Sequence, residues 1–354
     1  MNLVLPKVEK RVFLILGKEC NATCVYCHQG NGKVMLPVTP CAVQDMPDPK
    51  VVAGYFRSLP DDFQLTLYGG EPMLYWSFLE RFLTEFRMRY PVARLSMITN
   101  GTLLNPGRVK TLNEHKVTVN LSHDGPYHKM TRRYPDFLKT HPELFLSLDQ
   151  KGVAAVCSSA GMDFYAFWDY FDDFANRNQV TFPIYIQMIK DVSDNTNTSL
   201  FMSTNEQKAQ FETMLDKVFD NLYKALKSED YSGHEWEQYR SWVYRLNSIV
   251  NGGIPVTLPC KEDIAVVDID VFGNLYRCHN IAQSFGHVDE LGLMASDSRY
   301  QPSGNCRGCP YYLLCGGLCY VADKSKFDHM CYLMQEQAKR VIELLDKLRG
   351  EIKC

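Results

Sequence analysis

Short apolar runs recur along the first half of the chain, and each is followed by a glycine-rich or polar turn and then by a stretch with helical periodicity. Runs with the length and composition of β-strands are Arg11–Gly17, Phe63–Tyr68, Arg94–Ile98, Lys116–Leu121, Val153–Cys157 and Phe182–Ile189. Strands that alternate with helices form βα units around a parallel sheet. The unusual motifs of the first 130 residues directly follow these runs, and parallel βα barrels build their active sites at the carboxyl ends of the strands. The pattern therefore predicts an α/β fold of six βα units with a site at that edge.

From about residue 205 the pattern changes to longer helical segments. The apolar positions that keep helical spacing are Phe211, Met214, Leu215, Val218, Phe219 and Leu222, followed by Trp236, Tyr239, Trp242, Val243 and Leu246. A second domain begins near Pro259, contains seven cysteines and ends in an amphipathic helix through Val341 and Leu348. We therefore predict a barrel over residues 1–200, a helical bridge over 201–255 and a cysteine-rich domain over 256–354.

Composition excludes several classes of protein. With 354 residues, of which 45% are hydrophobic and 22% charged, the chain is long enough for a barrel and a smaller domain. Its net charge of −3 predicts no nucleic-acid partner and no anionic membrane surface. The apolar run Val12–Leu16 is too short to span a bilayer, and no small-residue cleavage site follows it. We therefore expect a cytoplasmic protein.

The chain contains thirteen cysteines, and ten of them fall into two spaced groups. In a cytosolic chain such groups indicate metal binding rather than a disulfide framework. The first group, Cys20, Cys24 and Cys27, has the spacing C-x3-C-x2-C on the loop after the first strand. Three thiolates can hold three irons of a cubane cluster and leave the fourth iron open. His28 could instead complete a zinc site, so this loop alone leaves zinc as an alternative.

Two motifs carry a resemblance to a known family. The cysteine loop, with Tyr26 directly before its third cysteine, resembles the signature of the radical S-adenosylmethionine (SAM) superfamily. Gly69-Gly70-Glu71-Pro72 resembles the GGEP motif of that family, which follows the second strand. The resemblance implies that the open iron binds the amino and carboxylate groups of SAM, that Tyr26 is a SAM-binding residue, and that the GGEP turn receives the SAM amino group. Glycine lets backbone approach a ligand closely.

The ends of the third and fourth predicted strands extend the resemblance. Thr99-Asn100-Gly101 and the run from Ser122 to Pro126 resemble the usual endings of these strands in the family. Asn100 and Ser122 are thereby implied as SAM-binding residues, and Arg132 or Arg133 as the partner of the SAM carboxylate. Turn and capping roles are the structural alternative for both motifs.

The second group of cysteines comprises Cys260, Cys278, Cys306, Cys309, Cys315, Cys319 and Cys331. The spacing C-x2-C-x5-C-x3-C that begins at Cys306 could form a zinc knuckle. Seven cysteines are more than one tetrahedral zinc needs, however, and they suit two iron–sulfur clusters. Their order resembles the SPASM domain of radical SAM peptide-modifying enzymes, so the two resemblances together cover nearly the whole chain.

The SPASM resemblance implies ligands for two auxiliary clusters. The outer cluster would be held by Cys306, Cys309, Cys315 and Cys331, and the inner one by Cys260, Cys278 and Cys319. The implied cofactors are SAM and three [4Fe–4S] clusters in a partial (β/α)6 barrel followed by a small cysteine-rich domain. Some relatives carry an eighth cysteine, but residues 261–277 contain none. We therefore hypothesise an open iron in the inner cluster.

The resemblance implies a radical SAM oxidoreductase that acts on a peptide. A reduced cluster cleaves SAM, and the resulting 5′-deoxyadenosyl radical removes a hydrogen atom from the substrate. We expect a ribosomal precursor peptide as substrate, a C–C, ether or thioether cross-link as product, and a flavodoxin- or ferredoxin-type reductant. Only ten residues precede the first strand, so leader recognition is expected to use another surface or a separate protein. No residue stands out as a catalytic base.

Three other functions compete with this prediction. An anaerobic sulfatase maturase shares the layout, but such enzymes usually place an aspartate after the cysteine of G-x4-C, where this chain has His279. Histidine can also move protons, so this difference is not decisive. A radical SAM enzyme of a small-molecule or quinone-cofactor pathway is the second alternative. A non-catalytic iron–sulfur carrier or zinc scaffold leaves the positions of the SAM motifs unexplained.

Overall fold

The structure, a computed structural model, describes residues 11–27, 45–189, 202–252, 268–276, 284–293, 306, 308–315 and 327–350. Nine strands in these segments form one sheet: β1 (Arg11–Ile15), β2 (Gln64–Tyr68), β3 (Arg94–Thr99), β4 (Val117–Ser122), β5 (Lys151–Cys157), β6 (Ile184–Met188), β7 (Asp268–Asp270), β8 (Asn274–Tyr276) and β9 (Gly286–His287). Their order in the sheet is β6-β5-β4-β3-β2-β1-β7-β8-β9. Strands β1 to β6 are parallel neighbours in chain order. The predicted α/β fold with a partial barrel of parallel strands is confirmed.

Helices separate strands β1 to β6, as the sequence pattern predicted. In the described segments they are α1 (Pro49–Gly54), α2 (Trp76–Arg89), α3 (Pro106–Glu114), α4 (His128–Thr131), α5 (Phe137–Thr140), α6 (Pro142–Leu146), α7 (Phe164–Asn178), α8 (Asn205–Lys227), α9 (His234–Val250), α10 (Val288–Leu291), α11 (Tyr312–Cys315) and α12 (Phe327–Gly350). Short 3₁₀ turns occupy Tyr55–Ser58, Pro72–Tyr75 and Gly125–Tyr127. None of the helices in these segments is both long and apolar enough to cross a lipid bilayer.

The two faces of the parallel sheet differ in polarity because side chains alternate along a strand. Buried apolar residues on one face are Val12, Leu14, Leu65, Leu67, Leu95, Met97, Val119 and Leu121. They form one core with α2, whose Phe78, Phe82 and Phe86 repeat at helical spacing. On the opposite face the hydroxyls of Thr66 and Ser96 hydrogen-bond across adjacent strands at 2.9 Å. The sheet is therefore anchored by its helix-covered face and has polar groups on the other.

Polar side chains at the helix ends fix where several helices begin. The carboxylate of Asp163 accepts the backbone N–H of Tyr165 at the start of α7. Thr204 and Gln207 form a reciprocal capping box at the start of α8. These caps satisfy N–H groups that have no partner within the helix. The long helices α8 and α9 lie where the sequence pattern predicted the helical bridge.

The C-terminal region joins the barrel instead of forming a detached sheet. Strand β7 pairs in parallel with β1, and β8 and β9 continue the sheet in antiparallel orientation. Helix α12 packs against the two long helices: Arg340 Nε is 2.8 Å from Asp216 Oδ1 on α8, and Tyr239 of α9 donates to Gln337 at 3.1 Å. The described part of residues 256–354, the range of the predicted cysteine-rich domain, thus contacts both the sheet and the long helices α8 and α9.

Candidate active site

The predicted cofactor-binding motifs lie together at one edge of the sheet. Because β1 to β4 are parallel, their carboxyl ends meet on the same side. The cysteine loop follows β1, the Gly69–Pro72 turn follows β2, Asn100 follows β3, and Ser122 ends β4. Hydrogen bonds join the cysteine loop to the turn after β2, to Asn100 and to Asp124, two residues after β4, and so bring these segments together in one site.

The three cysteines of the loop are half-buried free thiols. Burial raises the pKa of Cys20 to about 11 and the pKa of Cys24 to about 12, and electrostatic repulsion from Cys27 adds to both shifts. The thiols of Cys20 and Cys24 therefore do not ionise readily by themselves, whereas coordination to a cationic metal centre would stabilise their thiolate form. Three thiols on one short loop match the donor set of an iron–sulfur cluster, whose irons are bound by cysteine thiolates.

The first half of the cysteine loop is held by backbone hydrogen bonds to the turn after β2. The N–H of Gly70 donates to the carbonyl of Gly17 at 2.8 Å, and the N–H of Glu71 donates to the carbonyl of Glu19 at 2.7 Å. The approach is so close that a Cβ atom on Gly70 would lie 2.0 Å from the Glu19 oxygen, and one on Gly69 would lie 2.3 Å from the Gly17 oxygen. Both glycines are therefore required by contact between two parts of this chain.

The Glu71 carboxylate is a structural link between two strand ends. It is 1% exposed and accepts hydrogen bonds from the N–H of Met73 at 3.0 Å, the hydroxyl of Thr99 at 2.7 Å and the N–H of Asn100 at 2.8 Å. Burial raises the pKa of Glu71, although these three donors act in the opposite direction. The side chain thus fixes the turn after β2 to the end of β3.

Asn100 is predicted as a SAM-binding residue, and the structure places its amide against the cysteine loop. Its Nδ2 donates to Asn21 Oδ1 at 2.8 Å and lies 4.0 Å from the sulfur of Cys20. Its Oδ1 accepts the backbone N–H of Thr102 at 2.9 Å and the Thr102 hydroxyl at 2.7 Å. Asn100 therefore positions the loop beside Cys20.

The remaining predicted SAM contacts differ in accessibility. Ser122 is half-buried at the end of β4, and its carbonyl accepts the hydroxyl of Tyr134 at 2.8 Å. Arg132 is buried, with Nη2 3.0 Å from Asp124 Oδ1 and its guanidinium over the ring of Tyr26. Arg133 is exposed and has a φ of +62°, a left-handed conformation that costs energy for a bulky residue. Of the two arginines, only Arg133 reaches the surface of the described structure.

Asp124 lies two residues after β4, and no role was predicted for it from the sequence. Although burial favours its neutral form, Arg132 and the surrounding donors hold the pKa of Asp124 below its usual value. The carboxylate accepts the hydroxyl of Tyr26 from the cysteine loop. Asp124 belongs to the motif from Ser122 to Pro126, and the sequence signal that points to it is a carboxylate two residues after a buried strand.

Two stacked histidines lie next to this aspartate and were also missed. The rings of His123 and His128 are 4.1 Å apart. His123 Nδ1 accepts the N–H of Gly125 at 3.0 Å, so its Nε2 carries the proton that it shares with Asp136 at 2.8 Å. Neither ring nitrogen of His128 has a hydrogen-bond partner among the described residues, and burial lowers its pKa to about 3. Both imidazoles are therefore neutral at pH 7.

Part of the second cysteine group is also brought together. Cys331, near the start of α12, lies within electrostatic range of Cys309 and Cys306, and burial raises its pKa. The N–H of Cys309 donates to the carbonyl of Cys306 at 3.2 Å, and Gln335 Nε2 is 3.7 Å from the Cys309 sulfur. Cys315 ends the short helix α11. Across the described segments, no three His, Cys, Asp or Glu side chains are close enough to hold a single metal ion.

The predicted ligands of the inner auxiliary cluster, Cys260, Cys278 and Cys319, lie outside the described residues, and so does His279. Cys41 and Cys354, which match no motif, lie outside them as well. Cys157, the last residue of β5, is fully buried in the main core.

Comparison with known proteins supports a cofactor site of this kind. Residues 14–143 match the family described as the Radical SAM superfamily, so this segment is a radical SAM domain. Such a domain implies SAM and a [4Fe–4S] cluster as cofactors. The chain is 23% identical over 354 aligned residues to radical SAM cyclopropyl synthase TigE of Paramaledivibacter caminithermalis, and the alignment covers 92% of this chain and 70% of TigE.

Solved structures share the fold over almost the whole chain. Native anSMEcpe with bound AdoMet, an anaerobic sulfatase maturase, has a TM-score of 0.68 at 18% identity, with 98% of this chain and 100% of that chain covered. The same protein with bound AdoMet and the Cp18Cys peptide has a TM-score of 0.67, with 97% and 99% covered. At this level of identity the likeness shows a common fold.

Proposed function

We propose, on the premise of the radical SAM domain in residues 14–143, that the chain is a peptide maturase. Its substrate would be a ribosomal precursor peptide, from which a hydrogen atom is removed and in which an oxidative C–C, ether or thioether cross-link is formed. The observation that carries the proposal is the attachment of the cysteine loop, through Gly70, Glu71 and Asn100, to the carboxyl ends of β2 and β3. This arrangement holds three thiols at the edge where a barrel builds its active site.

In this proposal the residues of the chain bind and orient the cofactors. Cys20, Cys24 and Cys27 would hold a [4Fe–4S] cluster with one open iron. When bound, this cluster supplies the electron that breaks the sulfonium bond of SAM. The backbone of Gly69 and Gly70 and the half-buried Ser122 would contact SAM beside the loop.

Exposure separates the two arginines proposed for the SAM carboxylate. Arg132 is committed to Asp124 and to the ring of Tyr26, so its positive charge is already paired. Arg133 is exposed and held in a left-handed backbone conformation, and such strain is found where the direction of a side chain matters. We therefore favour Arg133 as the carboxylate partner, with Tyr26 shaping the floor of the site.

The C-terminal cysteines would hold auxiliary clusters. The proximity of Cys306, Cys309 and Cys331 supports the outer cluster, with Cys315 as its fourth ligand. The inner cluster, with Cys260, Cys278 and Cys319, stays a prediction from the sequence. Auxiliary clusters of this kind supply an electron acceptor whose potential the surrounding protein can tune. An oxidative cross-link needs such an acceptor, which is why the second cysteine group supports this function.

The similarity to TigE, a radical SAM cyclopropyl synthase, supports the carbon–carbon form of the cross-link, because closing a cyclopropyl ring forms a carbon–carbon bond. A separate leader-recognition protein and a flavodoxin- or ferredoxin-type reductant complete the proposed set of partners.

The test is anaerobic turnover of the reconstituted full chain with SAM, reductant and candidate precursor peptides. We expect 5′-deoxyadenosine, a peptide lighter by two hydrogens, and transfer of deuterium from labelled peptide into 5′-deoxyadenosine. Cys24→Ala should abolish SAM cleavage, whereas Cys157→Ala, at a buried cysteine outside both groups, should retain it. Uptake of zinc at the loop, or reduction without SAM cleavage, would refute the proposal.

A second candidate is an anaerobic sulfatase maturase, which the fold likeness to anSMEcpe over nearly the whole chain favours. The same assay separates the two functions. A peptide cysteine or serine converted to formylglycine would identify a sulfatase maturase, and a peptide cross-link would exclude it.

A further inference from the structure

A single buried carboxylate joins three parts of the barrel to the cysteine loop. Asp124 is fully buried, and its two oxygens accept four hydrogen bonds. The donors are the hydroxyl of Tyr26 in the loop, the hydroxyl of Thr131 at 2.6 Å, Arg132 Nη2 at 3.0 Å and the N–H of Val156 on β5 at 2.9 Å. These donors belong to the loop, the end of α4, the residue after it, and β5.

Four donors on one side chain require a carboxylate. An ionised carboxylate accepts through both oxygens, whereas the amide of asparagine has one acceptor atom and two N–H donors of its own. Leaving a buried donor without an acceptor costs more than a hydrogen bond normally contributes. From this geometry we propose that Asp124 is the positioning residue that locks the second half of the cysteine loop, residues 24–27, onto the barrel.

The two halves of the loop are held by different groups. Glu19 and Asn21 are bound by the turn after β2 and by Asn100. The second half has no such contact to those motifs in the described structure; it is bound through Tyr26 to Asp124. One backbone hydrogen bond, from the N–H of Val25 to the carbonyl of Thr131 at 2.8 Å, supports the same connection.

Arg132 strengthens the connection between Tyr26 and Asp124, because it contacts both side chains. Its guanidinium lies 5.5 Å from the centre of the Tyr26 ring while its Nη2 binds Asp124. The tyrosine is thus held by its hydroxyl and by its ring face at once. Because Tyr26 lies between Cys24 and Cys27, fixing its ring fixes the spacing of these two thiols relative to Cys20. The consequence for a cluster rests on the proposed function, whereas the lock itself does not.

The lock is tested on the cluster-free full chain by hydrogen–deuterium exchange. In Asp124→Asn we expect amides of residues 24–27 to exchange roughly tenfold faster or more, since loss of hydrogen bonds to a charged group releases the loop locally. Amides of residues 69–71 should keep wild-type rates. The matched control is Asp270→Asn, because Asp270 is equally buried and accepts four hydrogen bonds within its own hairpin from Phe272, Asn274 and Tyr276. Asp270→Asn should leave the exchange rates of the amides of residues 24–27 unchanged.

A second variant covers the case in which Asp124→Asn does not fold. Tyr26→Phe removes only the hydroxyl and leaves Asp124 paired with Arg132, and it should also accelerate exchange at residues 24–27. In the double variant the two effects should be less than multiplicative, because both remove one shared contact. Wild-type exchange at residues 24–27 in a folded Asp124→Asn or in Tyr26→Phe would overturn the proposal.

The reconstituted protein then separates this inference from the proposed function. If wild type shows the change in electron paramagnetic resonance that SAM causes on binding an open iron, Asp124→Asn should show a weakened change, while Asp270→Asn should show it in full. An unaltered SAM response in Asp124→Asn would overturn the role of Asp124 in placing the thiols. Absence of any SAM response in wild type, together with faster exchange in the variant, would refute the proposed function and leave the lock standing.

Discussion

Replacing Gly70 by alanine tests whether contact between the cysteine loop and the turn after β2 builds the site. An added Cβ would lie 2.0 Å from the carbonyl oxygen of Glu19 and 2.6 Å from that of Lys18, and ordinary contact begins at 3.4 Å. Both neighbours are backbone atoms, so no side chain can rotate away. The two segments would have to separate by about 1.4 Å, the difference between 3.4 and 2.0 Å.

The magnitude follows from what this separation breaks. The hydrogen bonds from Gly70 to Gly17 at 2.8 Å and from Glu71 to Glu19 at 2.7 Å would both be lost. At about 0.5–1.5 kcal/mol for each bond, together with about 1–3 kcal/mol for overpacking, the free energy of unfolding should fall by about 2–6 kcal/mol. The same separation should displace Cys20 relative to the rest of the site.

The assay is urea denaturation of the cluster-free protein, followed by iron analysis after anaerobic reconstitution. Gly107→Ala is the matched control, because its Cβ would meet only Asn105 Oδ1 at 3.4 Å, an ordinary contact, and Gly107 lies within α3. Alanine there should raise stability by up to about 1 kcal/mol. A Gly70→Ala protein with wild-type stability and full iron content would show that the close approach is not needed.

Three further changes test other parts of the site. Glu71→Gln should lower the free energy of unfolding by about 1–3 kcal/mol, because its amide cannot accept all three donors that the carboxylate now accepts; a urea midpoint equal to that of wild type would contradict this. His128 stays neutral in the fold down to a pKa of about 3 but protonates near pH 6.5 when unfolded. The free energy of unfolding of the wild type should therefore fall as the pH drops below 6.5, by up to about 1.4 kcal/mol per pH unit from this group. In urea denaturation, His128→Phe should lose less stability between pH 7 and pH 5 than the wild type does. Equal losses in both proteins would refute a neutral, buried His128. Cys309→Ala should lower the iron content, while SAM cleavage in the absence of peptide persists. Loss of SAM cleavage together with the iron would refute the placement of Cys309 in an auxiliary cluster.

Residues close together in the chain were enough to predict much of the fold and of the site. The alternation of apolar runs and helical stretches indicated the parallel α/β sheet, because side-chain periodicity is a local property. The spacing of Cys20, Cys24 and Cys27 and the Gly69–Pro72 motif likewise identified a candidate cofactor site, since both lie within single loops. The position of each motif after a strand was enough to expect them at one edge.

Contacts between residues distant in the chain were decided only by the tertiary structure. Tyr26 and Asp124 are 98 positions apart, and neither the loop nor the strand end by itself reveals that they meet. The same holds for β7, which pairs with β1 although Asp268 and Phe13 are 255 positions apart. Sequence patterns could not tell that Arg132 is buried against Asp124 while its neighbour Arg133 is exposed. Periodicity reports which residues are apolar, whereas the partner of a buried charge depends on which elements pack together.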